Sequence, residues 1–175
     1  MNVSPNEFRR AMGCFATGVT IVTVDLDGEV HGMTANAFAS VSLNPPMLLV
    51  CVDRSARLHA HLHARKRFGI NILAADQHVI SEYYARVVGR AVGADRQTKD
   101  GPAAAEAGAR FDRTVQGTPI LHGALAYLEC RLQSAQDAGD HTIFIAEVEN
   151  AVVQEGEPLL FFRGRYRSIG GESPE

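Results

Sequence analysis

The chain has no cysteines spaced to act together. Cys14, Cys51 and Cys130 are isolated and form no C-x-x-C pair, so neither a disulfide framework nor a zinc site is indicated. No apolar run approaches the roughly 20 residues of a bilayer-spanning helix. The first residues, with Asn6, Glu7, Arg9 and Arg10, lack the apolar core of a secretory leader. Positive charge is not concentrated either. Lys and Arg total 17 against 20 Asp and Glu, and the basic groupings are Arg65-Lys66-Arg67 and the alternation Arg163/Arg165/Arg167. Nucleic acid is therefore excluded as an expected partner. Also missing are the G-x-G-x-x-G turn of doubly wound dinucleotide folds and the G-x-S-x-G elbow of α/β-hydrolases. Gly13-Cys14-Phe15-Ala16-Thr17-Gly18 has the glycine spacing of a phosphate loop without the Lys-Ser/Thr that must follow it. These absences leave a reduced, cytoplasmic protein with no membrane or nucleic-acid partner as the expectation.

What is present fits one globular domain over residues 1–175, with 46% apolar and 21% charged residues. Ser4-Pro5-Asn6-Glu7 predicts a helix start with a capping box, followed by an apolar stripe at Phe8, Met12 and Phe15. Val19 to Val24 predicts a strand, Asp25-Leu26-Asp27-Gly28 a tight turn, and Glu29 to Ala35 its antiparallel return. Met47 to Val52 reads as a strand buried on both faces. Ser55 is placed as the N-cap of a helix from Ala56 to about Lys66. Phe68 to Leu73 is a strand and Gln77 to Tyr84 a helix. Arg86 to Gln116 shows no strong period and reads as a long excursion with one short helix. Strands follow at Ala126–Gln133, where apolar residues alternate with Tyr127, Glu129, Arg131 and Gln133, and at Thr142–Asn150 and Leu159–Phe162. Clustered strands, few helices and no βαβ rhythm predict a mainly β fold, a closed antiparallel barrel with peripheral helices.

The segment from Gly32 to Pro46 is the most informative. It sets Thr34, Asn36, Ser40 and Ser42 among small and apolar residues, and nothing from Gly32 to Val52 is charged. Small residues admit a flat ring, while hydroxyls and amides meet its rim without charge. Together with Met47-Leu48-Leu49-Val50-Cys51-Val52-Asp53-Arg54-Ser55, Gly139-Asp140-His141-Thr142-Ile143-Phe144 and Phe161-Phe162-Arg163-Gly164-Arg165-Tyr166, this segment resembles the short-chain flavin reductase family. Three separated blocks in order, spanning roughly Phe8 to Ile169, carry the likeness.

The resemblance implies an FMN-binding split β-barrel that acts as the reductase component of two-component flavin monooxygenases. It implies FMN or FAD as flavin, NADH or NADPH as hydride donor, and a homodimer whose subunits both build each site. Reduced flavin would pass to a separate monooxygenase by diffusion. Hydride transfer is chemistry the two cofactors own, so no catalytic acid or base is essential; the ring atoms must only meet at about 3–3.5 Å. By resemblance, Thr34, Ala35, Asn36, Ser40, Val41 and Ser42 run along the flavin ring and ribityl chain. Cys51, Val52, Asp53 and Ser55, with Arg57, lie where the family holds the flavin phosphate, at a helix N-terminus. Cys51 otherwise reads as a small buried residue. His141, Arg163 and Tyr166 are assigned to the nicotinamide side. His59 and His63 share a helix face while His61 points away, and with no carboxylate nearby in sequence they read as a solvated face rather than a metal site. Two other readings stay open: a split-barrel flavoprotein that keeps its flavin and reduces another small acceptor, and a flavin-binding protein without turnover.

Overall fold

The computed structural model describes residues 3–88 and 107–169. The fold is mainly β with few helices. Helix α1 (Pro5–Met12) opens with the expected capping box, in which Ser4 caps the backbone of Glu7 and the Glu7 carboxylate accepts from the Ser4 N–H. After a short strand β1 (Thr17–Gly18), β2 (Thr20–Leu26) and β3 (Glu29–Ala35) form a hairpin with Leu26 opposite Glu29. Its two-residue turn places Asp27 at φ 55° and Gly28 at φ 90°, the left-handed pair that matches strand twist. Strands β4 (Phe38–Leu43) and β5 (Pro46–Asp53) follow, then α2 (Arg57–Arg65), β6 (Arg67–Ile72), a single 3₁₀ turn (Ala75–Gln77) and α3 (His78–Val88). The remaining strands are β7 (Phe111–Arg113), β8 (Pro119–Leu121), β9 (Ala126–Ala138), β10 (His141–Val153), β11 (Leu160–Phe162) and β12 (Arg165–Arg167).

Seven strands make one antiparallel sheet in the order β3-β2-β6-β9-β10-β5-β4. Its two edge strands, β3 and β4, are consecutive in the chain and separated only by Asn36 and Ala37. Ala37 there accepts a hydrogen bond from the Cys51 N–H at 2.9 Å. Val22, Val24, Val50, Val52, Phe68, Ile70, Phe144 and Ala146 build the main core, which Leu58 and Leu62 of α2 enter. A second cluster, around Val19, Ile21, Leu73, Ile80 and Tyr84, seats α3 against the sheet. Strands β1, β11 and β12 form a separate small sheet.

Several expectations are corrected. Strand β5 is not buried on both faces: Leu48, Val50 and Val52 point into the main core and are buried, while Met47, Leu49 and Cys51, on the other face, are half-buried. The stripe Phe8, Met12 and Phe15 enters no core cluster among the described residues and is exposed. Glu129 is no solvent-facing member of an alternating strand but is buried. The Thr114 hydroxyl donates to it at 2.8 Å and the Thr118 hydroxyl also donates to it, and in register it faces Gly69, whose missing side chain leaves the room. A Cβ on Gly69 would lie 2.5 Å from Thr23 Oγ1 and 2.7 Å from the Pro119 carbonyl. Strands β1, β7, β8 and β12 went unforeseen, being only two or three residues each. The short helix expected between Arg86 and Gln116 falls largely outside the described residues.

Candidate active site

A cavity of about 350 Å³ lies where the end of β3, the end of β5, the start of α2, α3 and the β11–β12 hairpin converge. Its rim is polar and almost uncharged. Thr34, half-buried on β3, donates its hydroxyl to the Ser81 carbonyl of α3 at 2.6 Å. The Ser81 hydroxyl shares a hydrogen bond of 2.9 Å with the Tyr166 phenol of β12. Asn36, in the link between the two sheet edges, is exposed at the mouth. Val19, Ala56, Ala85 and Phe161 supply the apolar walls. Gly32 lets α3 come this close to β3, since a Cβ there would meet the Tyr84 ring at 2.9 Å.

Asp53 is the one carboxylate among the described residues that line the cavity, and it is already engaged. The Ser55 N–H and Ser55 hydroxyl both donate to its Oδ1 at 2.7 Å. These two bonds, the backbone one first, hold the Asp53 carboxyl below the usual carboxylate range, so it is an acceptor and not an acid. This corrects the expected cap of α2: Ala56 occupies the N-cap position without a side-chain bond, because Ser55 turns back to Asp53. His141 begins β10 directly opposite Asp53, and its Nδ1 pairs with Asp140 Oδ1 at 2.7 Å. Bonding to the imidazole holds Asp140 low as well.

Of the residues singled out in sequence, Thr34, Asn36, Asp53, Ser55 and Tyr166 line this cavity together. Ala35 is buried beside them, its carbonyl accepting from Thr20 Oγ1 at 2.7 Å. Val52 is in the core, and burial pushes the half-buried Cys51 thiol up. Ser40, Val41 and Ser42 stand on the edge strand β4, apart from the cavity lining, with Val41 exposed and Ser42 Oγ accepting from the Asn44 N–H at 3.2 Å. Arg57 is exposed in the first turn of α2. Arg163 points elsewhere: its N–H donates to the Gly13 carbonyl at 2.9 Å, and its guanidinium reaches Cys14 Sγ at 3.9 Å.

The cavity residues missed in sequence are Val19, Ala56, Ser81, Ala85 and Phe161. Ser81 and Ala85 lie four residues apart, a small-residue face of α3, which was the available signal. His59 and His63 do share a face, and their rings meet Phe144 edge-on at 5.4 and 4.9 Å; His59 is half-buried, while His63 stays exposed as expected, and His61 faces His31 at 5.6 Å.

A slot with apolar walls and hydroxyl and amide rims accepts a flat heteroaromatic ring. Among the described residues its carboxylate, Asp53, is bonded to Ser55 and no nucleophile in the lining is poised by a base, which fits chemistry residing in the bound rings. A model for the flavin reductase-like domain matches residues 12–170. An NADH-dependent flavin reductase of a Rhodococcus species is 40% identical over 170 residues, covering 95% of this chain and 88% of that protein. The reductase component of a 4-nitrophenol 4-monooxygenase/4-nitrocatechol 2-monooxygenase from Rhodococcus opacus is 39% identical over 163 residues, covering 91% and 78%. The NADH:FAD oxidoreductase of Streptomyces globisporus C-1027, solved with NAD and FAD fragments, superposes with a TM-score of 0.83 at 35% identity, covering 99% of each chain. Cavity chemistry, sheet order and likeness over nearly the whole chain agree, and the protein is a member of the flavin reductase-like family.

Proposed function

We propose that this protein is an NADH-dependent flavin reductase that reduces FMN or FAD and supplies the product to a separate monooxygenase. The observation that carries the reading is the uncharged polar rim of Thr34, Asn36, Ser81 and Tyr166 around apolar walls. Such a rim fits a flavin. Its ring presents carbonyl and imide edges that hydroxyls and amides can meet, and its faces suit Val19, Ala56, Ala85 and Phe161. The bound rings supply hydride transfer from nicotinamide to flavin. The chain binds, orients and shields.

In this reading Thr34 and Ser81 fix each other across the β3–α3 gap, so the rim is set before a ring enters. Tyr166 closes one side through Ser81. Ser40, Val41 and Ser42 contact the ribityl chain, and Cys51, Ser55 and Arg57 surround the phosphate end, with Val52 behind them in the core rather than in contact. An anion arriving there finds the Ser55 donors engaged by Asp53, so it must draw on the uncapped amides of α2 or displace that bond. His141 and Tyr166 meet the nicotinamide.

The finer architecture belongs to the same proposal. The sheet closes as a split barrel over one domain spanning residues 1–175, supported by edge strands that are joined through only two residues. The protein works in the cytoplasm as a homodimer, with exposed Phe8, Met12, Phe15, Val41 and Leu43 as apolar surface for a second copy. Reduced flavin leaves by diffusion, which predicts that an oxygenase behind a flavin-permeable membrane is still supplied.

Steady-state oxidation of NADH and NADPH with FMN, FAD and riboflavin in turn tests the reading. Turnover with NADH and at least one flavin is expected. Tightly retained flavin bleached by NADH would favour reduction of another small acceptor. Retained flavin without bleaching would leave a binding protein.

A further inference from the structure

We propose that a second, basic cleft receives the diphosphate of a dinucleotide substrate whose ring occupies the cavity; the proposal rests on the flavin reductase reading. The cleft, about 720 Å³, lies between α1 and the turn joining β11 to β12, and Arg9, Arg10 and Arg163 line it with Glu7. That carboxylate is committed to the helix cap, accepting from the Ser4 N–H at 2.9 Å and the Ser4 hydroxyl at 2.7 Å. The guanidinium groups are tied to no carboxylate among the described residues, although that of Arg163 lies over the Phe162 ring at 5.1 Å and reaches Cys14 Sγ at 3.9 Å. Arg9 meets only the amide oxygen of Asn6, at 3.3 Å, and neither Arg10 nor Arg163 forms an ion pair among the described residues. Planar guanidinium forks suit the paired oxygens of phosphate groups.

The backbone at Arg163 adds an independent argument. Arg163 (φ 49°) and Gly164 (φ 76°) form a left-handed two-residue turn like that at Asp27-Gly28. Asn, Asp or Gly suits the first position of such a turn, and Asp27 obeys that preference. Arginine does not, yet here the strained residue is pinned by its own N–H to the Gly13 carbonyl at 2.9 Å. Strain of this kind maintained at one residue points to a use for its side chain.

Cleft and cavity are the two ends of one hairpin. Phe161 and Tyr166, paired in register, line the cavity, and the turn two residues further on lines the cleft. At ~3.3 Å per residue the backbone distance between them is about 7 Å. A ring in the cavity therefore leaves its own phosphates within reach of the arginines. Ser55 and Arg57, at the start of α2, do not line the cleft.

The test compares wild type with Arg10→Gln/Arg163→Gln. KM is measured for NADH and for reduced nicotinamide mononucleotide, and for FAD and FMN, while calorimetry follows ADP binding. We expect about a tenfold rise in KM for NADH with the mononucleotide unmoved, and a matching loss of ADP affinity. A rise for FAD and not FMN would support the site and assign it to the flavin dinucleotide. Equal effects on dinucleotides and mononucleotides, or none on KM and ADP binding, would overturn the proposal. If wild type oxidises no NADH with any flavin, yet loses ADP binding on substitution, the reductase reading fails and the diphosphate site stands. Arg10→Gln alone, on an exposed helix position, keeps the test available should the double variant not fold.

Discussion

Tyr166 and Ser81 meet through one hydrogen bond of 2.9 Å where both line the cavity, Tyr166 half-buried and Ser81 fully buried. Tyr166→Phe should therefore cost about 1–2 kcal/mol of stability, since the buried Ser81 hydroxyl loses its side-chain partner. It should weaken flavin binding by about 1 kcal/mol, roughly fivefold, because the Ser81 hydroxyl loses the partner that aims it. Fluorescence quenching of free flavin on titration measures this. His141 tests the other side. It stands opposite Asp53 at the edge of the site and is oriented by Asp140. His141→Ala should raise KM for NADH about fivefold with flavin affinity little changed. A collapse in flavin affinity would put the imidazole against the flavin instead. The sequence made Thr34, Asn36, Asp53 and Tyr166 visible because they sit in blocks with a local signature. Ser81 and Phe161 were hidden because their role arises only when α3 and β11 pack beside β3.

Helix α2 carries a pH dependence of its own. His59 packs on Phe144 and bonds Thr142 Oγ1 at 2.8 Å, and Thr142 in turn donates to Asp137 at 2.7 Å. Burial first, then His63, holds the His59 pKa below its ordinary value, against the opposing pull of Asp137 and Asp53. The folded protein thus resists a proton that the unfolded chain accepts near pH 6.5. With more protons bound in the unfolded state, stability rises with pH there and falls as pH drops below about 6.5. His59→Gln should flatten that limb in urea titrations between about pH 7 and 5. Asp53, Asp137 and Asp140 are held below the carboxylate range, so their contribution is lost at lower pH, as each protonates, and the two limbs are separable. Element boundaries followed sequence wherever local chemistry dictates them: the Ser4–Glu7 capping box and the Asp27-Gly28 turn form as read. They departed where tertiary contact decides, as when Ser55 abandons its cap for Asp53 and Glu129 goes inside to meet Thr114 and Thr118.

At the scale of the whole molecule, the exposed apolar side chains are the feature a single chain leaves unexplained. Phe8, Met12 and Phe15 keep 58%, 53% and 70% of their surface accessible, and Leu43 keeps 94%. The stripe of α1 was plain in the sequence, but a stripe does not say whether it faces its own core or another copy. We expect sedimentation to show a dimer at micromolar concentration, and Phe8→Asp/Phe15→Asp to shift it to monomer. A monomeric wild type would remove the shared-site proposal. The sheet order has a further consequence, for the order of events during synthesis. Residues up to Ile72 supply β3-β2-β6 on one side and β5-β4 on the other, and among the described residues strand pairing joins these halves only through β9 and β10. Until the last third of the chain emerges, β6 and β5 both present unpaired edges to their surroundings. Folding is thereby committed late, after long loops close, and release of an incomplete chain exposes sticky strands. A fragment ending at Gly123 should aggregate, and adding residues 124–169 as a separate peptide should rescue it only when present before the edges find each other.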